Sequence, residues 1–235
     1  MIYDKYLESI RTSGFDVQSE LSRAKRIFEK YYQPHIPPDK TSRILEIGCG
    51  FGKIIWAATQ CGYTGVEGVD ISDDQVAFAK KTLKLNVERC DAVEKLEKFH
   101  SELDVILVID VLEHCAIEYA VELLQSARSA LKAGGTLILQ VPNGLSPLAP
   151  TFHGDFTHLR AYSAQGLAQL LRLAGFRKTS LRAMYPIIHG PLSAVRGAAW
   201  RLVLSPAICL YLLVATGESA GGIYTPNILA VAVNE

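Results

Sequence analysis

The sequence has no surplus of charge of either sign. Lysine and arginine together number 24, as do aspartate and glutamate, so the formal net charge over 235 residues is zero. Proteins that bind nucleic acid usually carry a basic surplus, and we therefore expect no nucleic-acid partner. Hydrophobic residues make up 49% of the chain, which is ample for the core of one α/β domain with additions.

The chain also has few features of a secreted protein. An odd number of cysteines without any C-x-x-C pair argues against a disulfide framework or a structural zinc site. We interpret the cysteines as small buried residues in a reducing cytoplasm. Asp4, Lys5 and Glu8 interrupt the N-terminus before the apolar region of a signal peptide could form. The cysteines are Cys49, Cys61, Cys90, Cys115 and Cys209.

A glycine-rich turn is the feature that organises the chain. The apolar run 44–47 leads into Gly48, Gly50 and Gly52, and a helical pattern begins at Lys53. A strand, a glycine turn and a helix together present backbone N–H groups to a ligand. Lys53 stands where a dinucleotide fingerprint needs its third glycine, and the Gly-Lys-Ser/Thr ending of a P-loop is missing. The spacing therefore disfavours both classes.

Acidic residues end the next strands. Asp70 follows the glycines by the interval expected of a ribose-binding carboxylate, and Asp91 ends a third short strand. Each could instead be part of a helix N-terminal cap. The run 103–110 is almost uninterruptedly apolar up to Asp110, which indicates burial on both faces in a parallel sheet.

Three motifs together resemble class I S-adenosylmethionine (SAM)-dependent methyltransferases of the small-molecule type. The chain is similar to sugar, natural-product and ubiquinone-biosynthesis O-methyltransferases. The motifs are Glu46-x-Gly48-x-Gly50-x-Gly52, Asp110-x-x-Glu113-His114, and Leu-Lys-x-Gly-Gly-x-Leu at 131–137.

The resemblance implies a Rossmann-like α/β fold. We expect a seven-stranded, mostly parallel sheet with its last strand antiparallel and helices on both faces. Residues 1–40 would form an N-terminal helical cap, and 41–186 with 223–235 the SAM-binding core. Residues 187–222 would be an apolar helical insertion between strands six and seven.

The resemblance also assigns cofactor contacts. SAM would lie along the glycine turn, with the ribose at the second strand and the adenine at the third, and S-adenosylhomocysteine (SAH) would be the product. The implied residues are Glu46, Gly48, Cys49, Gly50, Gly52, Asp70, Ile71, Asp91, Ala92, Asp110 and Val111.

The proposed chemistry needs a base. A hydroxyl acceptor must lose a proton during in-line methyl transfer, and histidine suits that role near neutral pH. His114 and His158 are equal candidates, and His153 follows them. Asn143 at the end of the fifth strand and residues of the 144–162 loop would bind the acceptor, with Arg160 able to clamp a phosphate or carboxylate. The substrate candidates are Asn143, Asp155, Arg160 and Tyr162.

The same loop also contains residue types that bind metal ions. His153, Asp155 and His158 resemble a two-histidine, one-carboxylate set. Such clusters are common without metal, so we expect no metal ligand.

The insertion is too apolar to lie exposed in water. Arg201 and Pro206 argue against a spanning helix, which needs about 20 apolar residues. We favour a shorter cap over the substrate pocket or a homodimer surface, and leave open a peripheral membrane contact through 187–216.

The sequence thus predicts a cytoplasmic enzyme, which could lie at the inner face of a membrane. It would methylate a hydroxyl of a small molecule, with a sugar or lipid-linked saccharide favoured. The alternatives are an N-methyltransferase acting on a small amine, a nicotinamide-dependent oxidoreductase, and a SAM-binding partner subunit without catalysis.

Overall fold

A single mixed sheet forms the centre of the computed structural model, which describes residues 16–235. The strand order is β3-β2-β1-β4-β5-β7-β6, and β7 runs antiparallel to both of its neighbours. This is the predicted Rossmann-like sheet, and the prediction is confirmed. The strands are β1 (Ile44–Ile47), β2 (Val66–Asp70), β3 (Val87–Arg89), β4 (Leu103–Ile109), β5 (Leu131–Pro142), β6 (Lys178–Ala183) and β7 (Asn227–Val233).

Helices cover both faces of the sheet. All residues of β1 and nearly all of β4 are buried, as expected for central parallel strands between two helical layers. The helices that surround the sheet are α1 (Val17–Ile27), α2 (Lys53–Gln60), α3 (Asp73–Lys81), α4 (Ala92–Leu96), α5 (Ile117–Ala130), α6 (Pro150–His153) and α7 (Ala164–Leu173).

Helix α1 represents the described part of the predicted N-terminal cap, whose residues 1–15 lie outside the described range. Asp16 accepts hydrogen bonds from the N–H groups of Gln18 and Ser19 and so caps the helix. Leu21 and Ala24 of this helix are buried, and the helix contacts α2. The chain continues through a wide turn, Phe28–Tyr32, toward the sheet.

The helix in the insertion between β6 and β7 is longer than the sequence indicated. It contains α8 (Pro191–Ala199), a π-helical turn (Trp200–Leu204) and α9 (Ser205–Thr216), which form one continuous helix of 26 residues. The expectation that Pro206 would shorten it was wrong. Proline removes one backbone donor, and a widened turn immediately before it lets a helix continue past this gap.

Candidate functional site

A cavity of about 790 Å³ opens at the carboxyl edge of the sheet. It lies where the strand order reverses between β1 and β4, the position at which open α/β sheets bind ligands. The glycine turn, the ends of β2, β3 and β4, and the loop after β5 all contribute to its wall.

The glycine turn forms one wall because it carries no side chains. Gly48 and Gly50 have φ values of 64° and 54°, which a glycine adopts readily. A Cβ atom on Gly48 would lie 2.4 Å from a methyl group of Val111. Gly52 does not line the cavity; it precedes α2, and its missing Cβ makes room for Leu85.

Asp70 and Asp91 both line the cavity, and both also hold the backbone. The carboxylate of Asp70 accepts from the N–H groups of Gly50 at 2.7 Å and Ser72 at 2.8 Å. Asp91 caps α4 and accepts from the hydroxyl of Tyr119 at 2.8 Å. The capping alternative therefore holds for Asp91. A carboxylate has about four lone-pair sites, so both acids retain acceptor capacity toward a ligand.

Glu46 places a buried carboxyl group at the cavity wall. Its side chain is 2% exposed, and within residues 16–235 its Oε2 atom has no hydrogen-bond partner. Burial raises the pKa of this carboxyl well above its usual value. A buried acceptor without a partner is costly unless a ligand satisfies it.

Asp110 joins the cavity to the N-terminal helix. Its backbone is left-handed, with φ of 55°, a strained conformation that often marks functional sites. Gln140 donates to both of its carboxylate oxygens at 2.9 and 3.0 Å. Gln140 in turn accepts from the hydroxyl of Tyr32 at 2.6 Å. The end of β4 is thus connected to the segment that follows α1.

His114 is the best-oriented histidine at the cavity. Its Nδ1 lies 2.9 Å from the hydroxyl oxygen of Thr157, and that hydroxyl donates to Asp155 at 2.6 Å. Because the hydroxyl proton is committed to Asp155, Nδ1 of His114 is the donor in the first bond. The proton of neutral His114 therefore lies on Nδ1, and Nε2 carries a lone pair.

His158 and Glu113 lie beside His114. The rings of His114 and His158 are 4.6 Å apart, edge to face. Nδ1 of His158 donates to the carbonyl of Phe152 at 2.7 Å, which leaves Nε2 facing a carboxyl oxygen of Glu113 at 3.9 Å. Glu113 is fully buried, and neither of its carboxyl oxygens has a hydrogen-bond partner among the described residues.

Burial shifts two of these groups toward their neutral forms. It raises the pKa of Glu113 to about 9, and the charge of Asp110 adds to the effect. Burial also lowers the pKa of His114, as does the neighbouring His158. At neutral pH the cluster therefore combines a protonated carboxyl group with an unprotonated imidazole.

The same cluster is the one group in residues 16–235 with metal-ligand geometry. Glu113, His114 and His158 each offer an atom within 4.8 Å of the other two. The three residues that resembled a metal site in the sequence, His153, Asp155 and His158, do not come together. His153 is exposed at the end of α6 and does not line the cavity.

Three substrate candidates do not line the cavity. The amide of Asn143 is buried and donates to the carbonyls of Ile223 and Thr225. The hydroxyl of Tyr162 donates to the carbonyl of Leu112. Arg160 is exposed at the surface. The first two residues hold the loops in place and do not contact the cavity, while Asp155 does line it.

Sequence reasoning missed several wall residues. Glu113 is part of the Asp110-x-x-Glu113-His114 motif, but the sequence alone does not show that its side chain is buried. Tyr119 lies in the first turn of α5, close to the edge of the sheet where ligands bind, and this position could have been recognised in the sequence. Gln75 reaches the glycine turn from α3, since a Cβ atom on Gly50 would lie 2.8 Å from its side-chain oxygen. Lys53, which follows Gly52, also lines the cavity.

Comparison with known proteins identifies a family. A family model described as a methyltransferase domain matches residues 17–181. Methoxy mycolic acid synthase MmaA3 of Mycobacterium tuberculosis is 23% identical over 146 residues, which are 61% of this chain and 46% of that protein. The chain thus spans about half the length of the curated relatives it matches.

Solved structures share the fold. A SAM-dependent methyltransferase from Archaeoglobus fulgidus has a TM-score of 0.69 at 23% identity, with 97% of this chain and 98% of that chain covered. Phosphoethanolamine N-methyltransferase 2 of Haemonchus contortus, solved with phosphomonomethylethanolamine and SAH, has a TM-score of 0.58 at 18% identity. Here 91% of this chain and 52% of that chain are covered. At such identities the likeness shows the fold.

Proposed function

The chain belongs to the methyltransferase domain family and has the class I SAM-dependent fold, and on this premise we propose that it methylates a hydroxyl group of a small molecule. The favoured acceptor is a saccharide or a lipid-linked saccharide. The protein would act in the cytoplasm, at or near the inner face of a membrane.

The residues of the cavity fit SAM. The bare backbone of Gly48 and Gly50, the acceptor capacity of Asp70 and Asp91, and the unpartnered Oε2 of Glu46 all face one space. Asp70 would accept from the ribose hydroxyls and Asp91 from the adenine amine. Bound there, SAM supplies a methyl group that its sulfonium charge has already activated. The protein must then orient the acceptor and take its proton.

His114 is the base in this proposal. Its Nδ1–H bond to Thr157, continued to Asp155, fixes the ring, and the unprotonated Nε2 would remove the hydroxyl proton of the acceptor. His158 would position His114 through its edge-to-face ring contact. This oriented chain of Asp155, Thr157 and His114 is the observation that supports O-methylation best. An amine acceptor only has to be neutral and needs no such base.

The experiment has two stages. Calorimetry should detect SAH binding to the purified protein, and Gly48→Ala should weaken it because the new Cβ collides with Val111. Methyl transfer from labelled SAM to panels of hydroxyl and amine acceptors then identifies the acceptor atom. Turnover of amines alone would contradict the proposal in favour of an N-methyltransferase, as would His114→Ala retaining full activity. SAH binding without turnover of either panel would favour a non-catalytic subunit.

A further inference from the structure

A second cavity of about 550 Å³ lies between α1, the end of β6 and the start of the insertion. Two sets of hydrogen bonds order its wall. The hydroxyl of Tyr31 donates to the carbonyl of Tyr185, and Ser193 bridges the N–H of His189 and the carbonyl of Gly190 at the start of α8. The methyltransferase activity proposed above makes no use of this cavity.

The wall of the second cavity is basic, although the chain as a whole is neutral. It includes Arg23, Arg26, Lys53 and Arg196, against the carboxylates of Glu20 and Asp110 only. Within the described chain, Glu20 pairs with Arg23 and Asp110 is bonded to Gln140.

Arg26, Lys53 and Arg196 form no ion pair within residues 16–235. Arginine and lysine side chains gathered in a concave site bind phosphate groups.

The two cavities adjoin. Lys53, Ile109, Asp110 and Thr151 line both of them. One molecule could therefore place its reacting hydroxyl near His114 and its anionic group in the second cavity. Arg196, which belongs to the insertion, makes the inserted helix part of that binding wall.

The helix 191–216 packs against the protein near its start, where Ser193 and Gly197 are buried, and is largely exposed beyond that. In its most apolar window of 18 residues none is buried. Leu210, Tyr211 and Leu213 are 64%, 69% and 46% exposed, and at about 100° per residue they point in widely different directions. A dimer contact needs one apolar side, whereas a helix that is apolar all round is suited to a nonpolar surrounding such as lipid.

The charges of this helix also suit a membrane surface. Its only charged side chains are Arg196 and Arg201, both in its N-terminal half. Anionic headgroups attract basic residues at the bilayer surface. Within the protein, the guanidinium group of Arg201 lies 4.3 Å from the centre of the Tyr185 ring. The apolar half that follows, α9, would lie among the acyl chains.

The helix can lie in one leaflet but cannot cross the membrane. After Thr216 the chain returns to the core at Ile223, whose carbonyl is bound by the buried Asn143. Seven residues reach at most about 25 Å, which is less than the hydrocarbon core of about 30 Å. Both ends of the helix therefore stay on the side of the catalytic sheet.

We propose that the second cavity binds the phosphate group of a membrane-borne lipid acceptor, which the protein reaches with the helix 191–216 embedded in the bilayer surface. This inference rests on the proposed function and narrows its acceptor class. The phosphate would contact Arg26 and Arg196, and the hydroxyl to be methylated would extend past Lys53 toward His114.

The first test concerns the phosphate. Calorimetry compares dihexanoyl phosphatidic acid below its micelle concentration, dihexanoyl phosphatidylcholine and inorganic phosphate. Phosphatidic acid should bind about tenfold more tightly than the other two, and Arg26→Ala/Arg196→Ala should weaken it by about tenfold. The matched control Arg172→Ala/Lys178→Ala removes two exposed charges outside the cavity and should change nothing. Equal binding of inorganic phosphate, or equal binding by the double variant, would overturn the inference.

The second test concerns the bilayer. The wild type should float with vesicles that contain phosphatidylglycerol, and less with phosphatidylcholine vesicles. Leu210→Glu/Leu213→Glu should abolish flotation, whereas Leu173→Glu, which alters a 65% exposed leucine of α7, should keep it. A wild type that forms dimers by light scattering and ignores vesicles would overturn the inference. SAH binding, measured in parallel for every variant, reports separately on the proposed function.

Discussion

A carboxyl oxygen of Glu113 lies 3.9 Å from Nε2 of His158, a distance too long for a hydrogen bond. A fully buried carboxyl group thus stands beside two histidines without a hydrogen-bond partner in the described chain. This arrangement keeps Glu113 protonated and makes it sensitive to alkaline conditions.

Stability should therefore fall as the pH rises. The pKa of Glu113 is raised from 4.5 to about 9 in the folded protein, so the folded state holds a proton that the unfolded state releases. The stabilisation is complete below pH 4.5 and is lost as the pH rises through about 9. Glu113→Gln, which is neutral at every pH, should raise the melting temperature more at pH 8 than at pH 5. An equal effect at both values would contradict the raised pKa.

Replacing His114 should reduce turnover without affecting the cofactor. Removal of a general base lowers the rate by about 10² to 10⁴, so His114→Asn should show this loss in kcat while SAH affinity by calorimetry is kept. His153→Ala alters an exposed histidine that does not line the cavity and serves as the control. A larger loss for His158→Asn than for His114→Asn would transfer the role of the base to His158.

The pH profile should report the environment of His114. Burial and His158 lower its pKa below 6.5, so the imidazole loses its proton below that pH. The acid limb of kcat/KM should then have its midpoint below pH 6.5, because the base acts when unprotonated. A midpoint above pH 6.5 would exclude His114 as the group that titrates.

The link between Thr157 and His114 can be tested on its own. Thr157→Val removes the oxygen that accepts from Nδ1 and separates the ring from Asp155. A net hydrogen bond contributes about 1 kcal/mol, so kcat should fall about fivefold and the acid limb should shift to lower pH. Thr59→Val, which removes an exposed hydroxyl of α2, should leave both unchanged. Loss of kcat with an unmoved acid limb would indicate a packing effect alone.

Chelation should leave the activity intact. A general base must keep its lone pair, and a metal ion held by Glu113, His114 and His158 would occupy it. We expect dialysis against a chelator to change kcat by less than about twofold. Loss of activity that a divalent ion restores would show instead that these three atoms, within 4.8 Å of one another, hold a metal.

The sheet and the cofactor wall could be predicted because local patterns determine them. Gly48 and Gly50 require the absence of a side chain, and the apolar run of β4 requires burial, whatever surrounds them. The role of Asn143 could not be predicted in this way. Its place at the end of β5 suggested a ligand contact, but the return segment of the insertion supplied two carbonyls that its amide satisfies.

The insertion shows a second limit of sequence reasoning. Pro206 normally ends a helix, and only the structure reveals that the turn before it widens to let the helix continue. The exposure of Leu210 and Tyr211 is likewise a tertiary property, because the same apolar residues would have suited a buried cap.

The strand ends beneath the insertion are direct neighbours, since Ala183 is paired with Ile228 in the antiparallel ladder of β6 and β7. Topologically, the segment between β6 and β7 is the loop of a β-hairpin. Doubling the length of such a loop adds only about 0.6 kcal/mol to its closure, so the closure of this loop depends little on the length of the helix. We therefore expect the segment between these two strands to accept changes of length while the ladder below it stays in register.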